Sequence, residues 1–153
     1  EPCVPDALFV LCSPPHPLAG NGSSTITELI EQPWIVRETG SGTRETLDRA
    51  LRDDCSRLRI RLELEHTEAI KRAVEFGLGI GCISRLALRE AFRRRSLLPI
   101  ATPELDLRRH FHFLQQRRKF QTAGMREFVG LCRSLTVGVE RSDLIRWSLV
   151  GEG

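Results

Sequence analysis

Residues 37–51 read RETGSGTRETLDRAL, which interleaves Gly40 and Gly42 with the hydroxyls of Thr39, Ser41 and Thr43 directly before a helical pattern. The chemistry that such a turn offers is anion binding. The first amides of a helix point outward without partners, the macrodipole adds partial positive charge, and glycines let a ligand approach the backbone. Ser41 and Thr43 supply hydroxyl donors, and Arg44 supplies a charged fork. The stretch lacks the spacing and lysine of a P-loop, and it lacks the third glycine and distal acid of a dinucleotide site. On residue types alone a second reading stands beside the first: a capped helix whose glycines serve only the turn. The stretch EHTE at 65–68 is ambiguous in the same way. Thr67 with Glu68 reads first as an N-cap, with His66 beside it as a local hydrogen bonder or a donor to a ligand.

Nothing else in the chain assembles a reaction, so no enzyme is expected. There is no GxSxG elbow, no HExxH and no Cys/His pair at a telling position. Asp53 and Asp54 sit among arginines and read as solvated. His110 and His112 alternate with Phe111 and Phe113, which puts both imidazoles on one strand face. No further ligand is evident nearby, so neither a metal nor another cofactor is expected. The five cysteines, Cys3, Cys12, Cys55, Cys82 and Cys132, are odd in number and show no CxxC spacing. That pattern suits reduced cytosolic thiols, with Cys12 and Cys82 buried as small hydrophobes.

The elements that must position the two turns alternate between strand and helix. ALFVLC (7–12) reads as a short strand, TITELIEQ as a short helix capped by Ser24 or Thr25, and PWIVRE (33–38) as the next strand. Leu47, Ala50 and Leu51 recur at helical spacing over 43 to about 54. RLRIRLELE (57–65) alternates strictly, with Leu58, Ile60, Leu62 and Leu64 on one face of a half-buried strand that suits a sheet edge. A helix capped by Thr67 carries Ile70, Ala73 and Val74 inward and ends at Gly77. LGIGCIS (78–84) reads as a buried strand whose glycines permit close packing, followed by a helix striped by Leu88, Ala91 and Phe92. LLPI and RRHFHFLQQ (108–116) read as further strands. The last strong helix, Thr122 to Leu135, is striped by Met125, Phe128, Val129, Cys132 and Leu135.

This alternation predicts an α/β fold with a mostly parallel sheet covered by helices on both faces. Right-handed crossovers place both turns at the carboxyl edge of that sheet, where open α/β sheets bind ligands. At 153 residues with 41% apolar and 28% charged, the chain reads as soluble and globular. Its longest apolar runs fall far short of the roughly 20 residues of a membrane span, and no secretory leader opens it. The net charge of +3 is small. The basic clusters FRRRS and QQRRKF therefore read as solvated faces rather than nucleic-acid contacts.

Together, PWIVRETGSGTRETLD, HTEAIKRAVEFGLGIGCISRLAL and RRHFHFLQQRRKFQTAGMREFVGLC, with HPLA upstream, resemble the effector-binding region of LysR-type transcriptional regulators. The resemblance runs from about Leu8 to Leu135 and is nearest to the branch regulating sulfur and carbon assimilation. It implies a periplasmic-binding-protein-like fold of two Rossmann-like lobes with an effector cleft between them. Residues 1–20 would form part of lobe I and the first crossover, 21–102 lobe II, 103–136 the remainder of lobe I, and 137–153 a tail. Family members also carry an N-terminal winged helix-turn-helix, and the first strand and helix of lobe I; neither is in this sequence, so lobe I is expected to be incomplete with exposed apolar surface. Carried over by residue, Glu38, Thr39, Gly40, Ser41, Gly42, Thr43 and Arg44 would face the cleft, joined by His66 and Thr67. The implied effector is a small anion: a sulfur oxyanion or a small carboxylate or phosphate metabolite. The implied partners are further copies in a dimer or tetramer, and DNA only through the helix-turn-helix. A solute receptor for transport shares the fold and remains the alternative.

Overall fold

The computed structural model describes residues 2–114 and 120–144. Its contacts divide the chain into two compact units, Ala7–Arg108 on one hand and Glu1–Asp6 with Arg109–Gly153 on the other. The expected strand residues 115 and 116, the basic run 115–119, and the tail residues Ile145 and Trp147 lie outside the described residues.

The unit Ala7–Arg108 is built on β1 (Pro2–Cys12), which enters it at Ala7, and on β2 (Pro33–Arg37), β3 (Arg59–Leu64), β4 (Ile80–Ser84) and β5 (Leu98–Ile100). The strand order is β3-β2-β4-β1-β5. Strand β2 pairs in parallel with β3 and β4, whereas β1 runs antiparallel to β4 and β5. Four strands therefore point one way and β1 the other. A strand buried on both faces reads the same in either direction, which is why apolar runs left the reversal of β1 unannounced.

Alternation along β1 sends Leu8, Val10 and Cys12 into one apolar cluster and Leu11 into the other. The helices α1 (Ile26–Ile30) and α2 (Gly42–Leu51) cover the first face through Leu29, Ile30, Leu47 and Leu51. The helices α3 (Thr67–Glu75) and α4 (Arg85–Arg94) cover the second through Ile70, Val74, Leu88 and Ala91. Trp34 on β2 is fully buried, and its one polar atom, Nε1, donates to the Leu29 carbonyl at 2.8 Å. That bond removes the desolvation cost its burial would otherwise carry. Among the described residues no helix is long and apolar enough to cross a membrane.

Local chemistry sets most boundaries. Of the two candidate caps for α1, Thr25 is the one used, in a capping box: the Glu28 amide donates to Thr25 Oγ1 at 3.3 Å and the Thr25 amide to Glu28 Oε2 at 2.8 Å. Ser41 caps α2 and Ser84 caps α4. Helix α2 stops at Leu51 because Arg52 takes φ 54°, after which a 3-10 turn spans Arg52–Arg57.

Two expectations need correction. Thr67 does not cap α3: the N-cap is His66, in extended backbone and without a side-chain capping bond, and Thr67 is the first helical residue. Strand β3 does lie at the sheet edge, as its pattern allowed, but it is not half-buried: only Leu64 is, and Ile60 and Leu62 on the same face are exposed. The alternation marked one apolar face correctly, but strict alternation cannot say whether a helix lies over that face. The cysteines are all free thiols, with Cys12 and Cys82 buried. Burial pushes the Cys12 thiol up to about 11.

In the second unit, β6 (Arg108–His112) pairs with β1. Asp6 is buried there, with Oδ2 accepting from Arg109 Nε at 2.7 Å and Oδ1 from the Ser142 hydroxyl at 2.6 Å. The unit also carries α5 (Ala123–Thr136), capped by Thr122, none of whose residues is buried. Its apolar stripe includes the exposed Met125, Phe128 and Leu131.

Candidate functional site

The carboxyl ends of β2 and β3 are brought side by side by their parallel pairing, with Arg37 opposite Leu64. The two turns singled out from sequence follow these ends, so α2 and α3 start at one sheet edge. In the first turn the Ser41 amide donates to the Glu38 carbonyl at 3.1 Å, which closes the chain over Gly40. Gly40 has φ 91°, a left-handed backbone that side chains rarely adopt, so glycine is needed there for conformation rather than space. A Cβ at Gly42 would meet nothing within 4 Å. The outer side of the first turn of α2 is therefore open to a ligand.

Ser41 Oγ accepts from the Thr43 amide at 3.2 Å, and the Glu45 amide already reaches the Ser41 carbonyl. This leaves the Gly42 and Arg44 amides in the first turn without a side-chain cap. Thr39 and Gly40 are exposed, Ser41 is half-buried and Thr43 is buried. In the second turn His66 is exposed and Thr67 half-buried, and with no side-chain cap the first amides of α3 stay open.

The charged residues of this edge are paired with one another. Arg44 Nε contacts both Asp48 carboxylate oxygens at 3.0 Å, and Arg44 Nη1 donates to the Arg37 carbonyl and to Glu63 Oε2, each at 3.2 Å. Its guanidinium thus ties α2 to β2 and β3. Arg37 grips Glu38 with Nε at 2.8 Å and Nη2 at 3.0 Å. This fork, helped by a backbone hydrogen bond and by the charges of Arg37 and His66, holds the Glu38 carboxyl below the usual glutamate range. The remaining nitrogen, Nη1, donates to Thr67 Oγ1 at 3.4 Å and so joins the two turns. An oxygen that accepts from Arg37 keeps its own O–H free to donate outward.

Two contributors escaped the reading of the sequence. Arg37 reads in PWIVRE as a strand residue, and only the parallel register places it between the turns. Ser84 and Arg85 lie at the carboxyl end of β4, where Ser84 Oγ accepts from the Leu86 amide at 3.2 Å and opens a third helix at this edge. A serine directly after a buried strand was the available signal for that cap. The Arg85 guanidinium stacks over the Phe9 ring at 5.1 Å. Beside it lies an open groove of about 930 Å³, lined among others by Phe9, Ser23, Arg85, Ile100, Leu105 and Leu107.

This α/β architecture, with three helix starts on one sheet edge, is shared with solved effector-binding domains of regulators. It is similar to the Synechocystis CcmR regulatory domain in complex with 2-PG, with a TM-score of 0.81 and 29% identity, covering 92% of this chain and 67% of that one. It shares its fold with the effector binding domain of QuiR in complex with shikimate, with a TM-score of 0.76 and 16% identity, over 89% of this chain and 64% of that one.

The family can be stated directly. The model of the LysR substrate binding domain matches residues 1–136, and the chain belongs to that family. Among curated proteins it is similar to the uncharacterised HTH-type transcriptional regulator YeiE of Escherichia coli, 38% identical over 86% of this chain and 45% of that protein. It is also similar to the RuBisCO operon transcriptional regulator of Allochromatium vinosum, 31% identical over 84% and 44%, and to CysL of Bacillus subtilis, 28% identical over 88% and 45%. The chain spans about half the length of these relatives.

Proposed function

We propose that this chain is the sensing part of a LysR-type transcriptional regulator, and that a small anion binds across the starts of α2 and α3. The observation that carries the reading is the combination at this edge of open amides and the accessible hydroxyls of Thr39, Ser41 and Thr67 with cations that are already neutralised within the protein. Such a surface recognises an oxyanion by hydrogen bonds and helix dipoles rather than by forming a fresh ion pair. Donors come from Thr39, Ser41, Thr43 and Thr67 and from the amides of Gly40 and Gly42, with His66 at the rim. Glu38 and Arg44 shape the turn through their ion pairs. The chemical class is a sulfur oxyanion or a small carboxylate or phosphate metabolite.

A ligand held here that also touches groups beyond this edge favours one conformation of the regulator over another, and that preference reaches DNA through a DNA-binding part and a dimer or tetramer. The relatives are named as transcriptional regulators, which supports this reading over transport, and a role on DNA calls for a cytoplasmic protein.

Calorimetric titration with sulfate, sulfite, phosphate and small carboxylates identifies the anion. Thr43→Val and Thr67→Val are each expected to weaken the best of these by more than about tenfold, the loss of a hydrogen bond to a charged group. Unchanged affinity in both variants would place the site elsewhere. A regulator containing this domain whose DNA affinity ignored every such anion would overturn the functional reading itself.

A further inference from the structure

The effector reading leaves one chemically capable group unused: the two histidines of β6. His110 and His112 stand two residues apart on a strand, so their side chains leave the same face. Both are exposed, whereas Arg109 and Phe111, facing the other way, are half-buried and stack on each other at 5.2 Å. The exposed face is thus held open by the packing of the opposite one.

A hydrogen bond within the pair sets the tautomer of His112. His112 Nδ1 lies 3.0 Å from the His110 carbonyl oxygen. A carbonyl only accepts, so Nδ1 carries the proton, and the lone pair of the neutral ring is on Nε2. Donation of one ring nitrogen to a backbone carbonyl is how metal-ligating histidines are oriented and made more basic. The two ring centroids are 6.4 Å apart with planes at 63°. Two imidazoles each about 2.1 Å from a shared ion have centroids roughly 5 Å apart at a tetrahedral angle. Closing that gap takes a shift of about 1 Å by side-chain torsion at an exposed position.

We propose that His110 and His112 form a two-histidine chelate for a borderline divalent transition ion of the nickel, copper and zinc class. Among the described residues no group of three or more ligating side chains gathers around any point, so water completes the coordination sphere. An all-nitrogen pair with water selects against magnesium and calcium, which prefer oxygen ligands. The binding is independent of the anion reading, because none of the residues assigned to the anion lies on β6.

The test is titration of the chain with nickel chloride at pH 7.5, with the accessible thiols Cys3, Cys55 and Cys132 alkylated under native conditions so that they do not contribute. One ion is expected per chain, no response to magnesium chloride, and selective paramagnetic broadening of two imidazole signals in the proton spectrum. His110→Asn and His112→Asn are each expected to weaken binding about a hundredfold, the loss of a tethered second ligand. His66→Asn should leave it unchanged. Full affinity in either β6 variant, or no binding to the alkylated wild-type chain, would overturn the proposal.

Discussion

Gly81 sits in the middle of β4 and is paired on both sides, with Leu11 of β1 and Ile35 of β2. A Cβ at this position would lie 3.1 Å from the Cγ2 atoms of both Ile70 and Val74, the fully buried residues by which α3 rests on the sheet. Ordinary carbon contacts fall at about 3.5–4.0 Å, so Gly81→Ala requires α3 to retreat by a few tenths of an ångström. The strand cannot yield because both its edges are hydrogen-bonded, and β-branched side chains on a helix have one strongly preferred rotamer. Overpacking of this kind costs about 1–3 kcal/mol. Removing glycine's freedom in the unfolded chain returns about 0.4–1 kcal/mol. The mid-range values leave a net destabilisation of about 1.3 kcal/mol, expected in urea unfolding as a lower midpoint with an unchanged m-value. Gly79→Ala is expected to be worse, exceeding about 4 kcal/mol. There the new Cβ meets the backbone of Pro33, colliding with its carbonyl oxygen and lying 2.9 Å from its carbonyl carbon, and a backbone cannot rotate away. Because α3 begins at Thr67, Gly81→Ala should also weaken anion binding while leaving the site residues intact. A Gly81→Ala protein as stable as wild type would refute the account of how α3 is seated, and Gly79→Ala tolerated equally well would refute the account of how the start of β4 packs on Pro33.

Other perturbations are as direct. Arg52 holds φ 54° and ψ −123°, a backbone region suited to glycine, so Arg52→Gly should raise stability by about 1 kcal/mol in the same unfolding assay. Asp6→Asn breaks a buried ion pair with Arg109 and weakens the tie to Ser142; a loss of about 3 kcal/mol is expected, read as faster native-state hydrogen exchange in β6. His16 Nδ1 accepts from the Leu18 amide at 3.1 Å, and desolvation by burial, opposed by a hydrogen bond with Gln32, lowers its pKa. The folded state therefore favours the neutral ring. Its contribution is complete above about 6.5, where an unfolded histidine titrates, and is lost as pH falls through the lower folded value. The wild-type unfolding midpoint should drop more between pH 7.5 and 5.5 than that of His16→Asn.

The candidate site was legible where local rules decide. The serine and glycines of 40–42 fixed a helix start, and Gly40 is where the left-handed backbone occurs. The second turn was legible as a helix start, but the cap fell to His66, since an N-cap is defined by the backbone of one residue and Thr67 has already entered the helix. Arg44 illustrates the opposite limit. A free guanidinium beside a helix start reads as a ligand donor, yet Asp48 sits one turn along and Glu63 on the neighbouring strand, and both claim it. The first partner was visible at i+4 spacing; the second depended on strand pairing.

What the sequence determined by itself was the order and type of the elements, the inward stripes of α3 and α4, and the presence of amide-rich helix starts after β2 and β3. These are short-range consequences of side-chain period, glycine conformation and capping. Only the tertiary structure decided that β1 runs against its neighbours, that Ile60 and Leu62 of β3 stay exposed, that Arg37 bridges the two turns, and that Asp6 and Ser142 meet across 136 residues. Strand direction, coverage and charge pairing are set by which elements become neighbours, and that is a property of the assembled sheet that no local pattern encodes.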